Sequence, residues 1–211
     1  MNEFESNQWF LKVLNSRDIE EQFECGNEFF MGEIVPKNDE YAFRLYMCAA
    51  EQGHADAMNN VADMYLNGEA VAKDYEHARY WFEQAAERYV PEAMFTLGMI
   101  YEQGLGVARN AARALQYYEE AASYDDVEAV YRLGEINYYG LLEQPISLER
   151  AREAFLHASS YEHVDSLYNC GYFFEHGIGG EKSNEHAIFY YRLAAGLGDL
   201  EAQERLDELL K

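Results

Sequence analysis

The chain has 211 residues, 49% of them hydrophobic, with 18 Tyr, 12 Phe and 2 Trp but only 3 Pro. This composition can fill a packed core and is unlike that of a disordered chain. A formal net charge of −23 argues against binding nucleic-acid phosphates or an anionic membrane surface, because both need clustered Lys and Arg. The charge favours a basic partner and fast, salt-sensitive association, although an acidic surface that only keeps the protein soluble is the alternative.

The N-terminal segment, residues 1–17, shows no targeting signal. It has Glu3 and Glu5 where a signal peptide needs basic residues, and no stretch of the chain approaches the roughly 20 apolar residues of a membrane span. We therefore expect a cytoplasmic protein. Residues 4–15 are predicted to form a short capping helix.

A unit of about 36 residues recurs along the rest of the chain. One alanine position recurs at Ala42, Ala78, Ala114, Ala151 and Ala187, with spacings of 36, 36, 37 and 36. One glycine position recurs at Gly32, Gly68, Gly104, Gly140 and Gly177. Self-similarity at such a period is typical of a solenoid, in which each unit buries its apolar face against its neighbours.

Each unit is predicted to be a helical hairpin. In residues 56–65 the small or apolar residues lie on one helical face, Gly68 ends this first helix, and the second helix opens at Asp74. The predicted units are 18–54, 55–90, 91–126, 127–163 and 164–199, followed by a C-terminal capping helix over 200–211. We expect one elongated all-α domain.

Two repeat positions predict helix starts. N-cap residue types precede the second helices, at Asn38, Asp74, Asn110, Ser147 and Ser183. Acidic residues occupy the opening turn of the first helices, at Glu20, Asp56, Glu92, Glu128, Asp165 and Glu201. Acids at this position interact favourably with the helix dipole, so six carboxylates have a structural explanation.

Other positions predict packing. Small residues at Ala62, Gly98, Gly134 and Gly171 are expected where the two helices of a hairpin cross. The three cysteines, Cys25, Cys48 and Cys170, have no repeat-locked pairing, and Cys25 and Cys170 occupy a leucine position that predicts burial. The fourth connector, 141–146, is one residue longer than the others and follows Asn137, where other units have an aromatic residue. It is interpreted either as local drift in a loop or as a lip at the edge of a groove.

The third unit carries the most complete motif. It has Leu97-Gly98, Tyr101, Gly104 and Gly106-Val107 in the first half, then Ala114, Tyr117-Tyr118 and Ala121-Ala122 in the second. The pattern Leu-Gly-x-x-Tyr-x-x-Gly-x-Gly-Val resembles the Sel-1-like repeat (SLR) family, which is related to the tetratricopeptide repeat, and degenerate copies cover most of the chain. The resemblance implies hairpins stacked in a right-handed αα superhelix. It also implies protein–protein contacts, often in bacterial signalling, envelope processes, secretion or host interaction.

By analogy with tetratricopeptide stacking, the first helices line a concave groove. The predicted partner-binding residues there are acidic, amide, aromatic or apolar: Glu24, Asn59, Asp63, Phe95, Met99, Glu102, Tyr131, Glu135, Tyr138, Tyr139, Tyr168, Tyr172 and Glu175. Carboxylates would meet the cations of a Lys- or Arg-bearing protein or peptide, and rings would contact cations or apolar stems. The alternative is that some of these rings belong to the core, displaced by one helical step.

No motif for catalysis, a metal or a cofactor is found. The six His residues form no His-Glu-x-x-His motif, and the glycine-rich segments follow helices rather than strands. We therefore predict a non-enzymatic protein that is a monomer or weak dimer.

Three functional interpretations remain open. One is an immunity or inhibitor protein that neutralises a cationic toxin or effector. The second is a general adaptor in bacterial signalling or secretion. The third is a hydrolase of cell-wall or β-lactam substrates, whose sequence marks would be repeat-locked cysteine pairs and a secretion signal; neither is present.

Overall fold

The computed structural model describes all residues, Met1–Lys211, and contains twelve α-helices and no strand. In chain order the helices are α1 (Glu3–Leu14), α2 (Ile19–Met31), α3 (Asp39–Glu51), α4 (Ala55–Asn67), α5 (Tyr75–Ala86), α6 (Pro91–Gln103), α7 (Ala111–Ser123), α8 (Val127–Tyr139), α9 (Leu148–Ser159), α10 (Val164–His176), α11 (Asn184–Gly196) and α12 (Leu200–Leu209). The predicted all-α class is confirmed. No helix combines the length and the apolar character needed to cross a membrane.

The repeat glycines end the first helices, as predicted. Gly32, Gly68, Gly104, Gly140 and Gly177 all adopt the left-handed conformation, with φ between 68° and 78°. Each donates its N–H to the carbonyl four residues back. Glycine suits this position because a side chain would strain the backbone there.

The predicted N-caps also begin the second helices. Asn38, Asp74, Asn110 and Ser183 accept backbone N–H groups of the first turn, whereas Ser147 occupies the cap position without a side-chain hydrogen bond. The first-helix acids lie in the opening turn, as predicted. The caps of those helices lie two residues earlier, at Asp18, His54, Val90, Asp126, His163 and Asp199, and all but Val90 accept an N–H.

The chain forms two compact units, Met1–Arg109 (unit 1) and Asn110–Lys211 (unit 2). Unit 1 contains the hairpins α2–α3 and α4–α5 together with α1 and α6. Unit 2 contains the hairpins α8–α9 and α10–α11 together with α7 and α12. The boundary falls within the third predicted repeat, and the single elongated domain stays a prediction.

Each unit has its own buried core. In unit 1, Phe10 of α1 stacks on Tyr41 with ring centroids 3.9 Å apart and meets Phe29 edge-on. In unit 2, α12 buries Ala202 and Leu206 against a cluster that contains Leu167 and Tyr191. The helices at the two ends of the chain thus cover apolar faces, as caps of a solenoid do.

Small residues allow the helices of a hairpin to cross closely. A Cβ added to Gly134 would lie 2.6 Å from the Phe155 ring, and one added to Gly171 would lie 2.6 Å from the Tyr191 ring. Gly26, which the sequence analysis did not include, has the same relation to Tyr46 at 2.7 Å. These contacts confirm the predicted crossings of α8–α9 and α10–α11.

Two of the three cysteines and the irregular connector have structural explanations. Cys25 and Cys170 are 1% exposed, as predicted, and burial raises the pKa of each thiol to about 12. The fourth connector takes up its extra residue with left-handed backbone at Leu142 and Glu143. The Asn137 carbonyl still accepts the N–H of the next N-cap, Ser147, as Phe29 does for Asn38. These contacts favour drift in a loop over a built lip.

Candidate functional site

The first helices of unit 1 form a face without basic residues. Together α2, α4 and α6 contain eight Asp or Glu and no Lys or Arg. Such an excess of acids attracts cations from solution. Glu20 has a partner from outside these helices, since Nε2 of His54, the N-cap of α4, lies 3.5 Å from its Oε2.

A wide cleft surrounds the predicted site residue Glu24. It has a volume of about 580 Å³ and is lined by Met1, Trp9, Glu21, Glu24, Cys25, Asn27, Glu28 and Ile34. Glu24 is exposed, whereas Oε2 of Glu28 is buried without a hydrogen-bond partner. The amino group of Met1 donates to the Ile34 carbonyl at 3.1 Å, so this cleft already has one cation at its edge.

A second, smaller cleft contains the predicted site residue Asp63. It has a volume of about 250 Å³ and lies between α2 and α4, lined by Asn27, Phe30, Met31, Tyr46, Asn60, Asp63, Met64 and Glu69. Asn27 lines both clefts, so the two are neighbours. Its Oδ1 accepts the Tyr46 hydroxyl at 2.8 Å, and no Lys, Arg or His lines this smaller cleft.

Asp63 is an acid whose charge is poorly compensated. Nδ2 of the predicted site residue Asn59 donates to its Oδ2 at 3.1 Å, and no cation pairs with it. Burial, together with the nearby charge of Glu69, raises the pKa of Asp63 to about 6, although the Asn59 contact lowers it. The Oδ1 of Asn59 is itself buried without a hydrogen-bond donor.

The predicted site residues on α6 are not in the acidic clefts. Met99 lines a separate cleft of about 220 Å³ between α4 and α6, which contains Lys73 and no acid. Phe95 and Glu102 are half-buried, and the Glu102 backbone carbonyl accepts Nε of Arg109 at 2.8 Å.

The predicted tyrosines of unit 2 are partly core residues. Tyr131, Tyr138 and Tyr172 pack against the buried cluster around Phe155 and Phe173. Tyr168 packs against the neighbouring cluster around Tyr191, and Tyr139 is 61% exposed beside Tyr138. Four of these five rings are therefore partly buried against the core, which supports the core interpretation for part of each ring.

The environment of Tyr131 is acidic. Burial, together with the charges of Glu135 and Asp165, raises the pKa of its hydroxyl to about 12. Its ring lies 4.6 Å from that of His163, centroid to centroid. Tyr131 is thus held as a neutral ring at the edge of the core.

The two predicted carboxylates of unit 2 are already paired. Glu135 accepts from Nη1 of Arg132 on the same helix at 2.7 Å. Glu175 is only 8% exposed, and its carboxylate binds Arg205 of α12 and the Tyr191 hydroxyl. The prediction that Glu175 faces a partner conflicts with this burial, and we remove Glu175 from the candidate surface.

Several residues of the acidic clefts lie outside the first helices, so the sequence analysis did not include them: Met1, Trp9, Ile34, Tyr46 and Glu69. Trp9 belongs to α1, and Glu69 directly follows the helix-ending Gly68. The N–H of Glu69 donates to the Met64 carbonyl at 2.9 Å, which turns the chain back over the end of α4. The structure contains no cluster of three or more His, Cys, Asp or Glu arranged to hold a metal ion.

Comparison with protein families identifies the repeat. The Sel1 repeat matches five segments of the chain, residues 22–54, 55–89, 91–123, 127–153 and 164–199. The chain belongs to the Sel1 repeat family. No match was found among curated proteins.

Solved structures of Sel1 repeat proteins are similar to this chain. A Sel1 repeat protein from Oxalobacter formigenes is 25% identical, with a TM-score of 0.86 over 99% of this chain and 89% of that one. A protective antigen of uropathogenic Escherichia coli with an SLR fold is 29% identical, with a TM-score of 0.79 over 90% of this chain and 41% of that one. Immunity protein Pa5087 from Pseudomonas aeruginosa is 20% identical, with a TM-score of 0.57 over 89% of this chain and 69% of that one.

These matches confirm the predicted fold class, an all-α solenoid of Sel1-like helical hairpins. This Sel1 repeat protein is a protein-interaction solenoid. The likeness to the immunity protein, at 20% identity, concerns the fold alone.

Proposed function

We propose that this Sel1 repeat protein is a non-enzymatic binder of a basic protein or peptide. The observation that carries the proposal is the face of unit 1, where three first helices contain eight acids and no Lys or Arg. An excess of carboxylates attracts a basic surface over a long distance and accelerates its association. Trp9 and Phe30 lie in the same clefts and offer rings to cations and apolar stems.

The proposed surface in unit 1 consists of Glu24, Asn59, Asp63, Phe95, Met99 and Glu102. In unit 2 it consists of Tyr131, Glu135, Tyr138, Tyr139, Tyr168 and Tyr172. In this proposal unit 1 supplies the charge and unit 2 supplies mainly rings. The exposed Tyr139 is the tyrosine of unit 2 most accessible to a partner.

A more specific form of the proposal is that the partner is a basic toxin or effector that this protein neutralises. Charge complementarity supports this form, because an acidic surface can cover the basic residues with which many toxins bind nucleic acid. The fold is also that of a protein named as an immunity protein. We place the protein in the bacterial cytoplasm under the same proposal.

The proposal is tested by capturing partners from the host on immobilised protein at low and at high salt. Glu24→Lys reverses an exposed charge of the acidic face. The matched control, Glu51→Lys, reverses an exposed charge in the last turn of α3, where a cation is compatible with the helix dipole.

We expect a basic protein that is released by salt, retained by Glu51→Lys and captured weakly by Glu24→Lys. An acidic partner, or one that both variants hold as well as the unaltered protein does, would overturn the proposal.

A further inference from the structure

The two acidic clefts of unit 1 differ in how completely their charge is compensated. The cleft at Glu24 has the amino group of Met1 at its edge. The cleft at Asp63 is lined by two carboxylates, Asp63 and Glu69, and by no cationic group. The cleft at Glu24 has one cation beside three carboxylates, whereas the smaller cleft has no cation of its own beside its two carboxylates.

Every helix around Asp63 presents a neutral group to it. Asn27, Phe30 and Met31 come from α2, Tyr46 comes from α3, and Asn60 and Met64 come from α4 itself. The only other charge is that of Glu69, which has the same sign. A charge so placed destabilises the free protein unless it is protonated or paired.

We propose that the Asp63 cleft is an anchor site for one arginine side chain of the basic partner. This inference rests on the proposed function and adds to it a defined contact. The cleft volume of about 250 Å³ is below the roughly 300–1,000 Å³ of small-molecule sites. One inserted side chain fits such a volume better than an organic ligand does.

The groups that line the cleft match a guanidinium. Its five N–H donors form a planar fork, and the cleft offers the carboxylates of Asp63 and Glu69 and the amide oxygens of Asn27 and Asn60. The weakly hydrated guanidinium also enters a half-buried site at a lower desolvation cost than the ammonium of Lys does.

The apolar side of the cleft suits the stem of an arginine. Phe30 is half-buried and Met31 is 63% exposed, so both can pack against three methylene groups. The Phe30 ring already takes a cation, since Nζ of Lys37 lies 4.9 Å from its centroid. Lys37 itself pairs with Asp39 at 3.2 Å and does not line the cleft.

Arginine binding would be linked to a proton. Because the pKa of Asp63 is raised to about 6, the free protein binds a proton there at mildly acidic pH. A guanidinium favours the charged carboxylate, so it displaces that proton. Arginine affinity should therefore fall as the pH decreases below about 6, by up to about tenfold per pH unit.

The test uses the full chain and a capped Gly-Arg-Gly tripeptide, with the same peptide containing citrulline as the uncharged isostere. Carbon-13 NMR follows the side-chain carboxyl of Asp63 through a pH titration with each peptide. We expect the arginine peptide to lower the pKa of Asp63 and the citrulline peptide to leave it unchanged. Equal effects of the two peptides, or no effect of either on Asp63, would overturn the assignment.

Variants provide a second readout. Asp63→Asn should weaken binding of the arginine peptide about tenfold or more, Glu69→Gln should weaken it less, and Glu87→Gln, at an exposed end of α5, should leave it unchanged. Binding that perturbs other first-helix signals and is unaffected by Asp63→Asn would overturn the anchor site and leave the proposed function standing. A captured partner that is acidic would overturn the proposed function itself.

Discussion

The two units carry almost the same charge but differ in how their buried first-helix carboxylates are paired. Unit 1 has 20 acidic and 8 Lys or Arg residues, and unit 2 has 19 and 8. In unit 2 the most buried first-helix carboxylate, Glu175, is bound by Arg205 and by the Tyr191 hydroxyl. In unit 1 the comparable carboxylate, Asp63, has only the Asn59 amide. Net charge therefore does not distinguish the two units, whereas missing internal pairing does, and it supports the surface proposed in unit 1.

Burying a carboxylate costs desolvation free energy, which an internal cation can offset. Unit 2 supplies that cation from α12, so Glu175 contributes to the fold. Unit 1 supplies no cation to Asp63. The Asn59 hydrogen bond offsets part of the desolvation cost, and the rest is offset only when a proton or an external cation binds. Such local destabilisation is expected at a functional site rather than in a scaffold.

The largest expected effect comes from removing the cation that pairs with Glu175 in unit 2. Arg205→Ala leaves Glu175 buried without its cation, and we expect a loss of about 3 kcal/mol in the free energy of unfolding, measured by urea denaturation. The Tyr191 hydroxyl can still donate to Glu175, which keeps the loss from being larger.

The matched control is the double variant Arg205→Ala with Glu175→Gln. It removes both charges, so much of the lost stability should return. A single variant as stable as the unaltered protein would mean that Glu175 needs no cation, and the contrast between the units would then lose its basis.

A second pair of variants tests whether the helices of a hairpin cross equally closely in the two units. Gly26→Ala in unit 1 and Gly171→Ala in unit 2 place a Cβ within 2.7 Å and 2.6 Å of the Tyr46 and Tyr191 rings. Each ring must move, and we expect each variant to lose about 2 kcal/mol in thermal unfolding. Unequal losses would show that one hairpin yields more readily than the other.

The repeat period predicts the helix-ending glycines and the N-caps because each is fixed by local sequence. A left-handed residue at Gly68 or an N-cap at Asp74 needs only its own neighbours. Pairing between distant helices is different. Arg205 and Glu175 are 30 residues apart, and Arg205 lies in the terminal segment where the repeat stops, so no periodic position predicts their contact.

The candidate site is predictable only in part for the same reason. The positions of Asp63 and Glu24 on first helices follow from the repeat. How deeply Asp63 is buried depends on residues from α2, α3 and the connector. The sequence of α4 alone does not specify these contacts. Tyr138 and Tyr172 are less exposed than their helical positions alone would suggest. Both rings pack partly against the core cluster that contains Phe173.

A third prediction concerns Asp63 and pH. Asp63→Asn removes an unpaired charge, and we expect it to stabilise the free protein by about 1.5 kcal/mol at pH 7. The pKa of this acid is raised in the folded state, from 3.8 to about 6. Its charged form therefore penalises folding, fully above pH 6 and progressively less as the pH falls towards 4.

The measurement is urea denaturation of both proteins at several pH values between 4 and 8. The stability difference should be greatest near pH 7 and should disappear near pH 4. A destabilised Asp63→Asn variant would mean that the carboxylate contributes to the fold, as Glu175 does in unit 2.

The smallest expected effect concerns a polar contact that both units share. His54 caps α4 and His163 caps α10, and in each case Nδ1 accepts a backbone N–H at 3.2 Å. Each imidazole also faces an aromatic ring, Phe23 or Tyr131, with centroids 4.2 Å and 4.6 Å apart. We expect His54→Ala and His163→Ala to lose about 1 kcal/mol each in thermal unfolding.

Aspartate separates the cap from the ring contact, because Asp18, Asp126 and Asp199 already cap helices at this repeat position. His54→Asp and His163→Asp should recover the cap but lose the ring contact and the contact of Nε2 with Glu20 or Glu128. Each should therefore be more stable than its alanine counterpart, which loses all three. Equal losses in the two units would show that their helix starts are energetically alike, which confines the difference between them to the pairing of carboxylates. A much larger loss in unit 2 would extend the asymmetry to the scaffold, since His163 also contacts Ser166 at 2.9 Å whereas the corresponding residue in unit 1 is Ala57.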